Sequence, residues 1–170
     1  DFAYISSGTW SLLGAEVQEP LCTEGVMKAN YTNEGGVDGS IRLLKNIMGL
    51  WIIQECKREW DRRGSETSFG ELVELSMQAP AFKAILDVDD ACFLAPGDMP
   101  ARIQAYCAKS GQPVPEGKGE ISRVIYESLA LKYRWAIERL EEDMLKKPIE
   151  ALHIVGGGSK NALLNRFTAE

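Results

Sequence analysis

Apolar and polar positions change rhythm several times along the chain, and each change predicts an element. Phe2 to Ser6 is aromatic and rich in β-favouring residues, and Trp10 to Leu13 resumes that pattern after Gly8-Thr9. Two strands around a tight Ser6-Ser7-Gly8-Thr9 turn form a hairpin, with Gly14 to Val17 extending the second strand and Pro20 ending it. Ala29–Thr32 and Gly39–Leu44 fit a third strand, broken by the loop Asn33 to Gly39. From Asn46 the run Ile47 to Ile53 is apolar on every side, which predicts a helix buried all round with Asn46 placed to cap it. Beyond Gln54 this helix turns amphipathic, with Cys56 and Trp60 inside, and Gly64 ends it. Ser68-x-x-Glu71 is a capping box ahead of Leu72, Val73 and Met77, and Pro80 closes that helix. No period is legible over residues 81–96. Asp98 or Pro100 starts a short helix that runs to Ser110-Gly111, and Gln112 to Gly119 is a Pro/Gly loop. Glu120 to Lys147 is the longest helix, with Ile121, Val124, Ile125, Leu129, Ala136, Ile137, Leu140 and Met144 on one stripe. Pro148 breaks it, Ala151 to Val155 is the last strand, and Asn161 to Phe167 a final helix. Strands, then helices, then a strand and a helix predict a mixed sheet covered by helices, not a bundle.

The last strand runs directly into Gly156-Gly157-Gly158-Ser159-Lys160-Asn161. A strand, a glycine turn and a helix N-terminus leave bare backbone and free N–H groups facing a flat or anionic ligand. A turn that needs the glycines for its own geometry and binds nothing has the same pattern. The motif is neither Gly-x-Gly-x-x-Gly nor a P-loop, so a nicotinamide dehydrogenase is disfavoured. A second tight turn, at Ser7-Gly8-Thr9, gives the first one a potential partner.

Composition narrows the choice. With 170 residues, 45% apolar and 26% charged, the chain is long enough for one soluble globular domain. A net charge of −6 argues against a nucleic-acid face. The densest basic stretch, Lys57-Arg58 with Arg62-Arg63, is interleaved with Glu55, Glu59 and Asp61 as a solvated helix face would be. Cys22, Cys56, Cys92 and Cys107 form no Cys-x-x-Cys pair and accompany a single histidine, so a zinc site of usual composition is excluded and free cytosolic thiols are expected. A bridge between Cys92 and Cys107 stays open. Asn30-Tyr31-Thr32 matches a glycosylation sequon without a signal peptide beside it. His153, inside the last strand, is expected in the core, Lys160 as a solvated first-turn lysine, and Trp10, Trp51, Trp60 and Trp135 as core or interface aromatics. Asp1 in place of an initiator methionine, and a helix still running at Ala169-Glu170, suggest a piece of a longer protein.

Ser6-Ser7-Gly8-Thr9-Trp10-Ser11-Leu12-Leu13-Gly14 is similar to the second phosphate motif of the FGGY carbohydrate kinases, sugar kinases of the actin-like ATPase superfamily. Thr32-Asn33-Glu34-Gly35-Gly36, followed by Leu44-Lys45-Asn46-Ile47-Met48-Gly49-Leu50-Trp51, resembles the branch of that family acting on L-rhamnulose. Gly156 to Asn161 resembles the family's adenosine motif, and the resemblance spans nearly the whole chain. It implies a ribonuclease H-like α/β domain truncated at both ends. Residues 1–170 would be a partial C-terminal domain, partnered by an N-terminal sugar-binding lobe outside the sequence. It further implies a cytoplasmic enzyme that phosphorylates L-rhamnulose at O1 with ATP and Mg2+. Thr9 matches the position contacting ATP phosphates, Gln54 an ATP-contacting glutamine, Gly157 the glycine against the nucleotide, with Gly156, Gly158 and Asn161 beside it in the motif. Asn46 matches a sugar-contacting asparagine. The family's general base is an aspartate in a His-Asp-Thr segment just upstream of the hairpin. That segment is missing here, so no catalytic residue or metal ligand is assigned, and the chain alone is expected to be inactive. The alternatives are another FGGY kinase, acting on fuculose or xylulose, and a non-catalytic nucleotide-binding module of the same fold.

Overall fold

The computed structural model describes residues 2–170. Strands β1 (Phe2–Ser7) and β2 (Ser11–Val17) form the expected hairpin, with Ser7 opposite Ser11. A short helix, α1 (Glu24–Lys28), is capped by Thr23. Residues 29–32 are not one strand: Asn30 turns the chain at φ 58°, and Tyr31 plunges inward to donate its hydroxyl to Ala136 O at 2.8 Å. The third strand is in fact two, β3 (Thr32–Gly35) and β4 (Ile41–Ile47), paired antiparallel. Asn33 tolerates a strand position because its amide clamps both backbone groups of Leu21, at 2.9 Å each.

Asn46 does not cap a helix. It lies within β4 opposite Leu12, with its side chain exposed, and α2 (Trp51–Arg62) begins only after Met48-Gly49-Leu50. A continuous apolar run fits a buried strand and a buried helix equally well, so periodicity alone misplaces this boundary. Within α2 the basic residues stay at the surface, but Glu55 and Glu59 are drawn in and paired with Arg58 and with Arg62 and Arg63.

Helix α3 (Phe69–Gln78) carries both bonds of the capping box, Glu71 N to Ser68 Oγ and Ser68 N to Glu71 Oε2. Ser68→Ala is expected to cost about 1 kcal/mol, read as a lower urea midpoint with an unchanged slope. Helix α4 (Met99–Lys109) is capped by Asp98. The aperiodic stretch before it buries Leu86, Val88 and Phe93. Helix α5 (Gly117–Arg139) passes into a π-helical segment, Leu140–Leu145, which Lys146 ends at φ 56°. The expected stripe is buried apart from half-buried Ile137, and Tyr126 and Tyr133 join it.

Strand β5 (Ala151–Val155) returns parallel to β1, completing a mixed sheet of order β3-β4-β2-β1-β5. Helix α6 (Ala162–Ala169) follows and packs on α5. Ala3, Ile5, Leu13, Ala15, Leu43 and Ile47 belong to the same core as the helices. His153 is not a core residue. It pairs with Tyr4 in register, is exposed, and meets the Phe2 ring edge-on at 5.3 Å. The period-two pattern of β5 fixed which residues share a face but not which face is covered. Of the tryptophans, Trp60 is buried and Trp51 half-buried, whereas Trp10 and Trp135 are exposed. All four cysteines are free. Among the described residues no helix is long and apolar enough to cross a membrane.

Candidate functional site

Because β1 and β5 are adjacent and parallel, their C-terminal ends deliver both glycine turns to the same edge of the sheet. The first turn is held by the start of α2: Leu50 N donates to Gly8 O and Trp51 N to Thr9 O, each at 3.0 Å. Gly49 permits this approach, since a Cβ there would lie 2.5 Å from Ser11 Oγ and 3.0 Å from Gly8 O. The second turn leaves β5 through Gly156 at φ 88°, against Ser7 O, and continues as a 3-10 turn, Gly157–Lys160. Gly158 sits directly over the Ser7 hydroxyl. Asn161 then caps α6 by accepting from Leu164 N at 3.0 Å.

The two turns divide two cavities. One, about 640 Å³, is bounded by Ser6, Ser7, Gly8 and Trp10, by Leu12 with its cross-strand partner Asn46, and by Gly156 and Gly157. The other is a slot of about 330 Å³ between α2, α3 and the second turn. Leu50, Ile53, Phe69, Val73 and Tyr126 form its apolar walls, and Gly8, Gln54, Gly157, Gly158, Lys160 and Asn161 complete it. Gly8 and Gly157 line both spaces, so the turns form a seam between them. At this seam the Thr9 hydroxyl donates to Gln54 Oε1 at 3.1 Å, although the two residues are far apart in sequence.

The residues matched to ligand-contacting positions of the family thus lie at or beside the seam. Gln54, Gly157, Gly158 and Asn161 face the slot, Asn46, Gly156 and Gly157 face the larger cavity, and Thr9 is tied to Gln54. Sequence reasoning missed Phe69 and Tyr126. Tyr126 was hidden inside the apolar stripe of α5. Phe69 was hidden in the capping box, although a large aromatic just after an N-cap was a usable signal.

The electrostatics favour an anion despite the acidic chain. Among the described residues no Asp or Glu lines either cavity, and the only cationic residue in the lining is exposed Lys160. Burial pushes the Tyr126 hydroxyl up to about 12, with the neighbouring Asn161 side chain partly offsetting it, so it stays protonated. Among the described residues no group of three His, Cys, Asp or Glu side chains converges to hold a metal.

A mixed five-stranded sheet flanked by helices, with paired glycine turns at one edge, is the architecture of the actin-like ATPases. Solved sugar kinases share it. Xylulose kinase from Rhodospirillum rubrum superposes with a TM-score of 0.68 at 13% identity, over 98% of this chain and 32% of that one. Gluconate kinase from Lactobacillus acidophilus gives 0.66 at 15%, over 99% and 33%. Residues 3–170 match the C-terminal domain of the FGGY family of carbohydrate kinases, and the chain belongs to that family. It is 49% identical to a rhamnulokinase of Bacteroides thetaiotaomicron over 99% of its length, and 47% identical to one of Enterococcus faecalis over its whole length. It spans 34% of each, about a third of the relatives' length.

Proposed function

We propose that this chain is the ATP-side lobe of a cytoplasmic rhamnulokinase, which transfers the γ-phosphoryl group of ATP to O1 of L-rhamnulose. The observation that carries the reading is the seam, where two glycine turns separate an apolar slot from an open cavity, with no carboxylate among the described residues that line them. The adenosine occupies the slot, the phosphates cross between Gly8 and Gly157, and the sugar lies on the side of Asn46. A phosphate oxygen competes with Gln54 for the Thr9 proton, and the charged acceptor wins because charge-assisted bonds are the stronger. Gln54 then turns its freed amide toward the ligand. Transfer proceeds in line, by positioning and charge stabilisation. The reading puts the general base outside this chain, because among the described residues neither cavity is lined by a carboxylate or imidazole. Mg2+ would be held by the triphosphate and would offset its charge, since among the described residues no group of three His, Cys, Asp or Glu side chains converges on a metal. Identity with rhamnulokinases supports rhamnulose over fuculose or xylulose, and four free thiols suit a reducing cytoplasm.

Calorimetric titration with magnesium-ATP, beside Gly157→Asp, tests the nucleotide site. A Cβ at Gly157 meets nothing within 4 Å, so the variant folds and places a carboxylate at the seam. Binding by the parent chain and at least tenfold weaker binding by the variant are expected. A folded parent that binds no ATP sinks the reading. For the sugar, a panel of rhamnulose, fuculose and xylulose, run on a protein of the relatives' full length, should favour rhamnulose.

A further inference from the structure

The backbone of Trp10 belongs to the fold, and its side chain does not. Its carbonyl accepts from Gly8 N at 2.9 Å and closes the first turn, which fixes where the side chain leaves the chain. The indole is 45% exposed and lies outside the core. Among the described residues no hydrogen bond, ring contact or cation holds it. A lone apolar residue on a flat surface is ordinary, but this one borders the larger cavity. Leu12, two residues on and so on the same side of the strand, borders it too. These two are the apolar side chains of that lining, while Ser6 and Asn46, the latter opposite Leu12, are polar.

A wall that is apolar over one part and polar over the next fits an acceptor divided in the same way. L-rhamnulose is such a molecule. O1 stands at one end, hydroxyls follow along the chain, and the other end is a methyl group where an ordinary ketohexose carries a hydroxymethyl. Trp10 directly follows Thr9, the residue placed against the phosphates, so the two Cα atoms are about 3.8 Å apart. With O1 turned to the γ-phosphate at the seam, the far end of the sugar runs out beside the indole. Pressed on the ring face, a methyl group gains apolar contact, whereas a hydroxymethyl group gives up a hydrogen bond to water and receives none. Resting on the reading above that the sugar lies on the side of Asn46, we propose that Trp10 selects a 6-deoxyketose by packing its indole, backed by Leu12, against the terminal methyl group.

The test is steady-state kinetics on a protein of the relatives' full length, for the parent, Trp10→Ala and Trp10→Phe. The two acceptors are L-rhamnulose and L-fructose, which differ only by the hydroxyl on the terminal carbon. The parent should favour L-rhamnulose by about tenfold or more in kcat/KM. Trp10→Ala should lose about tenfold on L-rhamnulose, through KM, and less than about threefold on L-fructose, with KM for ATP unchanged. Trp10→Phe should keep most of the preference, since the ring face remains. A parent that uses both sugars equally, or a Trp10→Ala enzyme with the parent's preference, overturns the proposal and leaves the kinase standing. An equal loss on both sugars also overturns it, marking the indole as a prop for the phosphate turn. A parent that phosphorylates neither sugar overturns the sugar-side reading itself, so the two failures are distinct.

Discussion

Gly158→Ala should abolish nucleotide binding and cost about 3 kcal/mol of stability, while Gly157→Ala, one residue earlier, should stay within about 0.5 kcal/mol of the parent. The contrast follows from what a methyl group would meet. At Gly158 it overlaps the Ser7 hydroxyl and comes within 2.8 Å of Ser7 Cβ and 3.0 Å of Leu50 Cδ1. Ser7 cannot retreat, because it is buried in a strand paired on both sides. Leu50 Cδ1 ends a flexible side chain and can yield, so the contact with Ser7 Cβ sets the cost. Relief therefore has to come from lifting the second turn off the first, which opens the seam. At Gly157 the added methyl meets nothing. Urea denaturation and ATP titration on the two variants decide the matter. A Gly158→Ala protein with the parent's midpoint and affinity would show that the turns do not bear on each other.

Arg123→Ala should lower stability by about 3 kcal/mol or more. Arg123 Nε donates to Glu127 Oε1 at 2.7 Å, and its Nη1 reaches Ser76 O at 3.2 Å and Ala79 O at 3.0 Å at the end of α3. Glu127, whose side chain is 2% exposed, also accepts from Phe82 N at 2.8 Å, where the chain turns at φ 50°. Removing the guanidinium leaves a buried carboxylate without its countercharge and the end of α3 without its donors. Arg123→Lys should rescue little, because one ammonium cannot span carboxylate and carbonyls together. The double variant Arg123→Met/Glu127→Gln should recover part of the loss, since the residual group is no longer charged. Denaturation midpoints of the three variants give the comparison. A loss below about 1 kcal/mol for Arg123→Ala, the range of exposed ion pairs, would show that the network is a surface pair in effect. As α3 also carries Phe69, the alanine variant should weaken ATP binding too.

Local chemistry made most of the fold legible. The hairpin, the Ser68-x-x-Glu71 box, a helix start at Asp98 or Pro100 and the stripe on α5 are each set by residues a few positions apart, and the structure has them, with Asp98 as the cap. What failed depended on distant partners. Asn46 reads as a cap until Leu12 is known to lie beside it in the sheet, and His153 reads as core until β5 is known to expose that face. Asn33 has no visible purpose until Leu21 comes back to meet it. The glycine turns and Gln54 were legible as candidates, but not the Thr9–Gln54 bond that joins them, and the α3 wall of the slot was not legible at all.

The parallel pairing of β1 with β5 also sets when the seam can exist. Ser6 and Val155 are partners in register, yet nearly the entire chain separates them. The hairpin emerges before β5 during synthesis, at about 5–20 residues per second, and must wait on the order of ten seconds for the strand that completes its other side. Closing so long a loop is entropically costly and comes late in folding. The seam therefore forms only once β5 has docked on β1. A fluorescent ATP analogue added during refolding would light up after the helices have formed, timing the docking of the last strand.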